Sequence, residues 1–437
     1  MIYYLLFFTF LFFFWISFMI KDKDFFSPFS LFCLSYLFSS ILLLLNFNVW
    51  GVVIDFNTYL LLTFGAIVFG IAYYFPFKFI LKKRKQKNNI QARKVQIVCP
   101  TKKYFWIILL EFIILLLYTY FFVKAVGLTS LSNFSNIMHD YRLNTAYGDG
   151  IDSYIPSIVS QLRKFNWAAA LVSVYIILNN MFVTKCEGKK YKIELKYIIS
   201  ILLYLPLTVL AGGRFDLIIF LLSTLIMAIV IFNSFRSKFS SSLKMIKKFL
   251  IALVIILAIF STTRTLFGRN SNGDLFEHIS KYFAGPIINL DYYLRGNCVD
   301  SYVHFGREIF KGIYDFMAKL GLLELEELSR SFVVINGLEF GNVYTAYKYM
   351  YSACGLTGVV VFQLILGRIF ALMYDKIKKN KDFDINIFII FYALSLSFLI
   401  LHPFSELLFS TLISFNYFVL FLFIWLLKFF INKVRLN

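Results

Sequence analysis

IYYLLFFTFLFFFWISFMI, residues 2–20, decides the class of fold, because nineteen residues in a row carry no charge. A helix of ~20 predominantly apolar residues is what the hydrocarbon core of a bilayer requires. Similar runs recur along nearly the whole chain, and its 437 residues are 60% hydrophobic and 20% aromatic. A soluble domain is closer to half apolar. The sequence therefore predicts a membrane protein with several spans.

Eleven such segments can be drawn along the chain, and they predict an all-α polytopic membrane protein with about 11 transmembrane helices. A large helical extracytoplasmic loop, residues 264–350, is predicted between helices 8 and 9. Residues 1–263 then hold helices 1–8 with an external loop at 124–165, and residues 351–437 hold helices 9–11. The predicted segments are approximately 2–20, 29–47, 58–80, 104–123, 166–183, 197–210, 215–232, 249–263, 351–374, 385–401 and 407–427.

The basic residues set the predicted orientation. The formal net charge is +20, and residues 81–103 contain nine Lys or Arg and no acid. Loops rich in Lys and Arg stay in the cytoplasm. This loop is therefore predicted to be internal, which puts the amino terminus and residues 264–350 outside. Because the charge concentrates in predicted cytoplasmic loops, it does not require a nucleic-acid partner, and none is predicted.

Residues 264–350 are the only long part of the chain that is too polar to lie in a bilayer. They mix arginines with acidic residues and carry two of the four histidines, His278 and His304. Ionisable groups at membrane depth are costly unless they face a watery cavity or a partner. We therefore expect this loop to close over a site on the extracytoplasmic side.

Two arginines are predicted to lie at a similar depth near the outer surface. Segment six has about fourteen apolar residues before the turn that ends at Arg214, and segment eight has about fifteen before Arg264. Both are shorter than the ~20 residues of a full crossing. With Arg269, these guanidiniums predict a clamp for a phosphate-rich headgroup, because each offers a forked set of donors. Alternatively, Arg214 snorkels to lipid headgroups or pairs with Asp216.

Two histidines are candidates for acid–base chemistry. His278 follows Glu277 in the large loop and has the chemistry of a general base, and His402, beside Pro403, is a second candidate. The alternative for each is an ordinary surface-loop histidine. No HxxxH or CxxC motif occurs, so the sequence predicts neither a metal site nor a cofactor.

Several motifs resemble those of the bacterial oligosaccharide repeat-unit polymerases, the Wzy-type enzymes of O-antigen and capsule synthesis. Gly341-Asn342-Val343-Tyr344-Thr345-Ala346 is similar to the family's "NxYT" stretch before a span punctuated by glycines. The chain departs from some members of the family in one respect. Those members have an arginine and a glycine separated by ten residues in both external loops, and Arg142, Arg163 and Arg264 do not meet that spacing. Further similarities are at Gly212-Gly213-Arg214, Tyr282–Pro286, His304-Phe305-Gly306, Tyr351, Gly355, Leu356, Gly358, Gly367 and Arg368.

The resemblance implies an extracytoplasmic glycosyltransferase in the bacterial cytoplasmic membrane. It would move a growing glycan from an undecaprenyl-diphosphate carrier onto a fresh lipid-linked repeat unit, with no cofactor. Membrane lipids, a chain-length regulator and a flippase are the other partners implied. In this interpretation the diphosphate binds Arg214, Arg264 and Arg269, and one of three residues is the base: His278, Glu277 or Asp291. Arg142, in the second external loop, and His402 complete the predicted substrate-binding set.

Two other functions stay open at this point. A flippase or exporter of the same lipid-linked sugars would explain a basic cavity without catalysis, but such transporters are built from repeats, and no internal repeat is found in this sequence. A ligase, which transfers a finished glycan onto a different acceptor, is scarcely separated from a polymerase by the sequence. The choice of acceptor in an assay would separate them.

Overall fold

The structure is a computed structural model that describes most of the chain. The described residues are 1–20, 24–75, 96–126, 134–147, 155–234, 243–267, 274–297, 304–325, 328, 332–379 and 385–431. Within them the protein is mostly helical. The helices are α1 (Ile2–Ile20), α2 (Pro28–Trp50), α3 (Phe56–Tyr74), α4 (Thr101–Val126), α5 (Phe134–Tyr147), α6 (Ser157–Cys186), α7 (Leu195–Leu210), α8 (Arg214–Ser234), α9 (Leu243–Thr262), α10 (Leu275–Leu294), α11 (Lys311–Lys319), α12 (Ala346–Lys379), α13 (Ile387–Ile400) and α14 (Phe415–Ile431).

The predicted fold class, an all-α polytopic membrane protein, is confirmed in its main features. Seven of the described helices are long and apolar enough to cross a membrane, namely α1, α2, α3, α4, α6, α8 and α12. Three shorter apolar helices, α7, α13 and α14, accompany them. Apolar side chains that face outward, such as Trp15, Phe64 and Trp106, are typical of a lipid-facing surface, because the bilayer does not exclude them as water does.

Two predicted segments differ from the helices that contain them. Helix α6 begins at Ser157, well before the predicted start near Asn166, so it carries charged residues into the bundle. Helix α9 has 20 residues from Leu243 to Thr262, so it begins before the predicted apolar segment of about fifteen residues. Lysine is a good helix former, and the helix continues through the lysines of its first turns beyond the apolar run. Helix α7 is short as predicted, with 16 residues.

Helix α12 packs along α3 and is broken near its start. A Cβ atom at Gly367 would stand 2.5 Å from the carbonyl oxygen of Phe69, so glycine is needed for the close approach of these helices. The break lies at Cys354 and Gly355, where Gly355 has a φ of 59° and a ψ of −145°. Glycine reaches this conformation without a steric penalty. The glycine-rich pattern after residue 350 therefore marks a helix break and a helix contact.

The described residues between 264 and 350 pack into the bundle. Helix α10 lies against α2, α3 and α9, and its residues from Ala284 to Asp291 are buried. Phe283 makes an edge contact with Phe38, near the middle of α2, at a ring distance of 5.4 Å. Asn289 donates from its side chain to the carbonyl of Val343 at 2.8 Å, which ties α10 to the segment before α12. The described part of the predicted loop is thus a packed layer at the end of the bundle where α8 begins, which we call the Arg214 end.

A β-hairpin in this layer was not predicted. Strands β1 (Val333–Ile335) and β2 (Leu338–Gly341) pair antiparallel through Asn336 and Gly337, whose φ angles are 51° and 76°. An Asn-Gly pair with two positive φ angles is the usual two-residue hairpin turn. The Asn336 side chain also donates to the carbonyls of Trp50 (3.1 Å) and Gly51 (2.9 Å), so the hairpin is attached to the end of α2.

Replacing Asn336 tests this attachment. Asn336→Ala loses both side-chain bonds, worth about 1 kcal/mol each. It also replaces asparagine, which tolerates a positive φ, with alanine, which adopts that conformation at a greater cost. Asn336→Gly loses the bonds but tolerates the backbone. We expect the midpoint of thermal unfolding in detergent to fall for Asn336→Ala and to fall less for Asn336→Gly. Equal midpoints for both variants and the wild type would show that the hairpin is not anchored there.

Candidate functional site

Arg214 lies at the junction of α7 and α8. Helix α7 ends in a turn in which the amide of Gly212 donates to the carbonyl of Val209 at 2.9 Å and that of Gly213 to Thr208 at 3.3 Å. Gly212 has a φ of 67°, a conformation that glycine supplies at a helix end. The next residue starts α8, so the arginine side chain is fixed by two helices. It is 4% exposed.

Aromatic side chains of α9 and α10 surround the Arg214 guanidinium. Its Nη2 donates to the hydroxyl of Tyr282 at 2.7 Å. The guanidinium carbon stands 4.4 Å from the ring centre of Phe260 and 5.3 Å from that of Tyr282, both within cation–π range. Asp216, the partner considered from the sequence, pairs instead with Arg163 of α6 at 3.0 Å. Arg214 therefore faces the α9–α10 side of α8.

Arg264 comes one turn after Phe260, at the end of α9. Its amide donates to the carbonyl of Ser261 at 3.4 Å, and its side chain is 9% exposed. Four residues are about one helical turn, so its backbone lies next to the contact between Arg214 and Phe260. The structure thus brings the predicted Arg214 and Arg264 to one neighbourhood. Arg269 lies outside the described residues.

His278 is the predicted base that lies nearest to Arg214. Its ring is half-buried and stands 4.8 Å from the ring of Tyr282 and 5.9 Å from that of Phe260. These are the two aromatic residues that contact the Arg214 guanidinium. We call Arg214, Phe260, Arg264, His278 and Tyr282 the Arg214 site.

Glu277 and Asp291 lie in different environments. The Glu277 carboxylate pairs with Lys281 at 2.8 Å and is partly exposed. Asp291 is buried and accepts from the amide of Asp55 and the hydroxyl of Thr58, both at 2.7 Å.

The contacts of Asp291 explain its position in the fold. Its carboxylate caps the first turn of α3 and also holds Arg295 at 2.7 Å. Thirteen residues separate it from His278, which is roughly 20 Å along a helix. We therefore interpret Asp291 as a residue that joins α10 to α3 and not as the base.

His402 is buried in the middle of the bundle. Its Nδ1 lies 2.8 Å from the hydroxyl of Tyr36, and its Nε2 lies 3.0 Å from the side-chain nitrogen of Gln363. Its carbonyl accepts from the amide of Ala346 at 3.0 Å, at the start of α12. The side chain is 1% exposed, and burial lowers the pKa of His402 to about 3. We interpret it as a neutral packing residue between α2, α12 and the turn after α13, and not as a substrate contact.

Glu406, in the same connection, caps a short π-helical turn at Leu408–Leu412. Its two carboxylate oxygens accept from the amides of Phe409 and Ser410, each at 2.7 Å. Burial nevertheless raises the pKa of Glu406 to about 7, because the charged form is disfavoured more than the amides favour it.

This pKa predicts a pH dependence of stability. A carboxyl group whose pKa is higher in the folded state stabilises the fold while it is protonated. For Glu406 this contribution is fully present below the ordinary pKa of 4.5 and is lost as the pH rises through about 7. We expect the thermal midpoint of the wild type to fall between about pH 5 and pH 8. Glu406→Gln should show a smaller fall in the thermal midpoint, and Glu277→Gln, which removes a partly exposed carboxylate, should keep the wild-type fall. Identical pH profiles for Glu406→Gln and the wild type would contradict this assignment.

An apolar cavity of about 230 Å³ adjoins the Arg214 site. Phe260 belongs to both, and the ring of Phe404, which lines the cavity, stacks on that of Tyr282 at 5.9 Å. Among the described residues that line it, Ser35 is the one with a polar side chain. Leu250 and Val254 are lining residues that are also exposed at the surface of the bundle. The cavity therefore opens sideways between α2 and α9. Its lining is Leu31, Leu34, Ser35, Phe38, Ile218, Leu222, Phe249, Leu250, Leu253, Val254, Ile256, Leu257, Phe260, Phe283, Ile400, Leu401, Pro403 and Phe404.

Several residues of the site escaped the sequence reasoning. Tyr282 was grouped with the interfacial tyrosines, although it follows His278 by four residues and therefore shares its helix face. Phe260 and Phe404 carry no signal in such an aromatic chain. Arg142 lies in α5, but its side chain is outside the described part of the structure.

Comparisons with known proteins add no family assignment. No protein-family model matches the sequence, and no match is found among curated proteins or solved structures. The function must therefore be argued from the site itself.

Proposed function

We propose that this protein is a membrane glycosyltransferase that polymerises oligosaccharide repeat units carried on undecaprenyl diphosphate. The observation that supports it is the junction of two unlike surfaces. A guanidinium set among aromatic rings adjoins an apolar cavity that opens toward the lipid. A polyprenyl diphosphate has the same two parts, a long apolar chain and a doubly charged headgroup. Phosphate oxygens are good acceptors for the forked donors of arginine.

The membrane topology proposed for this function has about eleven crossings in a bacterial cytoplasmic membrane, with the Arg214 end outside. The basic stretches 81–103, 184–196 and 233–248 support this topology. Along the chain they alternate with the connections at the Arg214 end, and stretches rich in Lys and Arg stay in the cytoplasm. The bound headgroup would then face the periplasm or the cell exterior, where repeat units are joined.

The reaction follows from the chemistry of the carrier. A hydroxyl oxygen of the acceptor glycan forms a bond to the anomeric carbon of the donor glycan. The bond from that carbon to the diphosphate oxygen breaks, and the diphosphate leaves with the electron pair. Arg214 and Arg264 stabilise the negative charge that develops on this leaving group. No change of oxidation state occurs.

The hydroxyl proton needs an acceptor, and His278 is the residue we assign. It lies beside Tyr282, which holds the Arg214 guanidinium, so the base and the leaving-group site share one helix face. Glu277 shares its helix turn but pairs with Lys281. A histidine that accepts the proton in the transition state contributes ~100- to 10,000-fold to the rate.

The direct test uses purified protein in lipid nanodiscs with synthetic lipid-linked repeat units. A ladder of glycans on the carrier, each longer by one repeat unit, is expected on a gel or by mass spectrometry. A single transfer onto a different acceptor would indicate a ligase instead. Movement of the substrate across the bilayer without lengthening would indicate a flippase. Either result would overturn the polymerase assignment.

A further inference from the structure

A second group of buried polar residues lies on the other side of α8 from the Arg214 site. Asp216 follows Arg214 by two residues, and two residues are about 200° around a helix. Arg214 therefore faces α9 and α10, whereas Asp216 faces α6 and meets Arg163 there at 3.0 Å. Lys164, Trp167, Tyr204 and Tyr417 surround this ion pair. We call these six residues the Lys164 cluster: Arg163, Lys164, Trp167, Tyr204, Asp216 and Tyr417.

The cluster carries an excess positive charge. Arg163 and Asp216 neutralise each other, but Lys164 has no carboxylate within ion-pair distance among the residues that the structure describes. Lys164 is 8% exposed, and its ammonium lies 5.3 Å from the ring centre of Trp167. A buried charge without a counter-charge is strongly unfavourable. The cluster therefore carries one positive charge that no carboxylate in the described part of the chain compensates.

Four buried polar atoms in the cluster also lack hydrogen-bond partners within the described part of the chain. They are Nε of Arg163, Nε1 of Trp167 and the hydroxyl oxygens of Tyr204 and Tyr417. The Trp167 ring contacts both tyrosines, at 6.1 Å from Tyr204 and 5.5 Å from Tyr417, so these atoms belong to one group. The guanidinium and indole nitrogens can only donate, and the tyrosine hydroxyls can donate.

The Lys164 ammonium and four unused hydrogen-bond donors match one kind of ligand, an oxyanion with several acceptor oxygens. Buried polar groups in proteins are otherwise nearly always satisfied. The cluster lies at the Arg214 end, because α6 and α8 both begin there. An anion that approaches along the membrane interface would meet it at the depth of lipid phosphates.

We propose that the Lys164 cluster is a second phosphate site, which binds the diphosphate of the acceptor's lipid carrier while the Arg214 site binds that of the donor. This assignment rests on the proposed function, because only a transfer between two lipid-linked glycans requires two carriers at once. Helix α8 separates the two headgroups, so that like charges are held apart. The glycans that they carry extend from the same end of the bundle.

The test counts carrier molecules bound to one chain. Undecaprenyl diphosphate is added to the full-length protein in nanodiscs, and native mass spectrometry reports the bound number. We expect two for the wild type, one for Lys164→Met and one for Arg214→Ala. Lys164→Arg should restore two, because it returns the charge. Lys164→Met keeps a side chain of similar length, and its thermal midpoint checks that it folds.

The outcomes separate this site from the proposed function. If Lys164→Met binds as many carriers as the wild type, with affinity within about twofold, the second site is wrong and the Arg214 site stands. If Arg214→Ala keeps the wild-type number while Lys164→Met loses one, the proposed function fails at its own site and the second phosphate site stands. In a separate arm, inorganic pyrophosphate is added to detergent-solubilised protein. Binding of pyrophosphate at Lys164 without binding of the lipid would overturn the assignment to a carrier.

Discussion

Arg214→Ala is expected to lower the rate of glycan polymerisation by roughly 100-fold or more, the loss typical when one fixed donor to a developing charge is removed. The reason is the position of the guanidinium, held by Tyr282 at 2.7 Å and set over the Phe260 ring at 4.4 Å. Nothing else in the turn before α8 supplies a charge to the leaving diphosphate. The measurement is the initial rate of ladder formation with synthetic lipid-linked repeat units.

Two further variants sharpen this prediction. Arg214→Lys keeps the charge but loses the planar fork and its stacking on the rings, so it should recover only part of the rate. Lys281 is the residue before Tyr282, and its described ion-pair partner is Glu277. Lys281→Ala therefore removes a nearby cation and should leave the rate near that of the wild type. If Lys281→Ala lowers the rate as much as Arg214→Ala does, a general change of surface charge would explain the effect and Arg214 would have no specific role.

His278→Asn is expected to produce the second large effect, a loss of ~100-fold or more in the same rate, because the acceptor hydroxyl loses its proton acceptor. Binding of undecaprenyl diphosphate should change little, since the headgroup contacts that we propose are made by arginines. A loss in the rate with unchanged binding distinguishes a base from a binding residue.

Glu277→Gln is the matched control for this prediction. The carboxylate lies one residue from His278 and pairs with Lys281 at 2.8 Å, so its removal should leave the rate within a few-fold of the wild type. A full rate in His278→Asn, together with a large loss in Glu277→Gln, would transfer the role of the base to Glu277.

The helices were predictable because their signal is local. A run of ~20 apolar residues needs a membrane whatever else the chain does. The ends of the helices were harder to predict where a helix includes charged residues. Arg163 and Lys164 looked like loop residues because charge usually ends a span, yet α6 begins at Ser157 and buries both. The Asn336-Gly337 turn had a local signal as well, but the prediction of a helical loop passed over it.

The positions of single residues were predictable only in part. Arg214 and His278 were chosen for their chemistry and their place in the chain, and α8 and α10 bring them to the same aromatic residues. Asp291 and His402 were chosen on the same grounds. Their partners, Thr58 and Tyr36, lie more than two hundred residues away in the chain, so one sequence carries no trace of these contacts.

The most direct measurement is a cryo-EM structure of the protein in nanodiscs with undecaprenyl diphosphate bound. The account predicts phosphate oxygens within hydrogen-bond distance of the Arg214 guanidinium and prenyl carbons in the cavity between α2 and α9, against Phe260 and Phe404. A carrier bound elsewhere, with that cavity empty and Arg214 making no contact with phosphate, would contradict it.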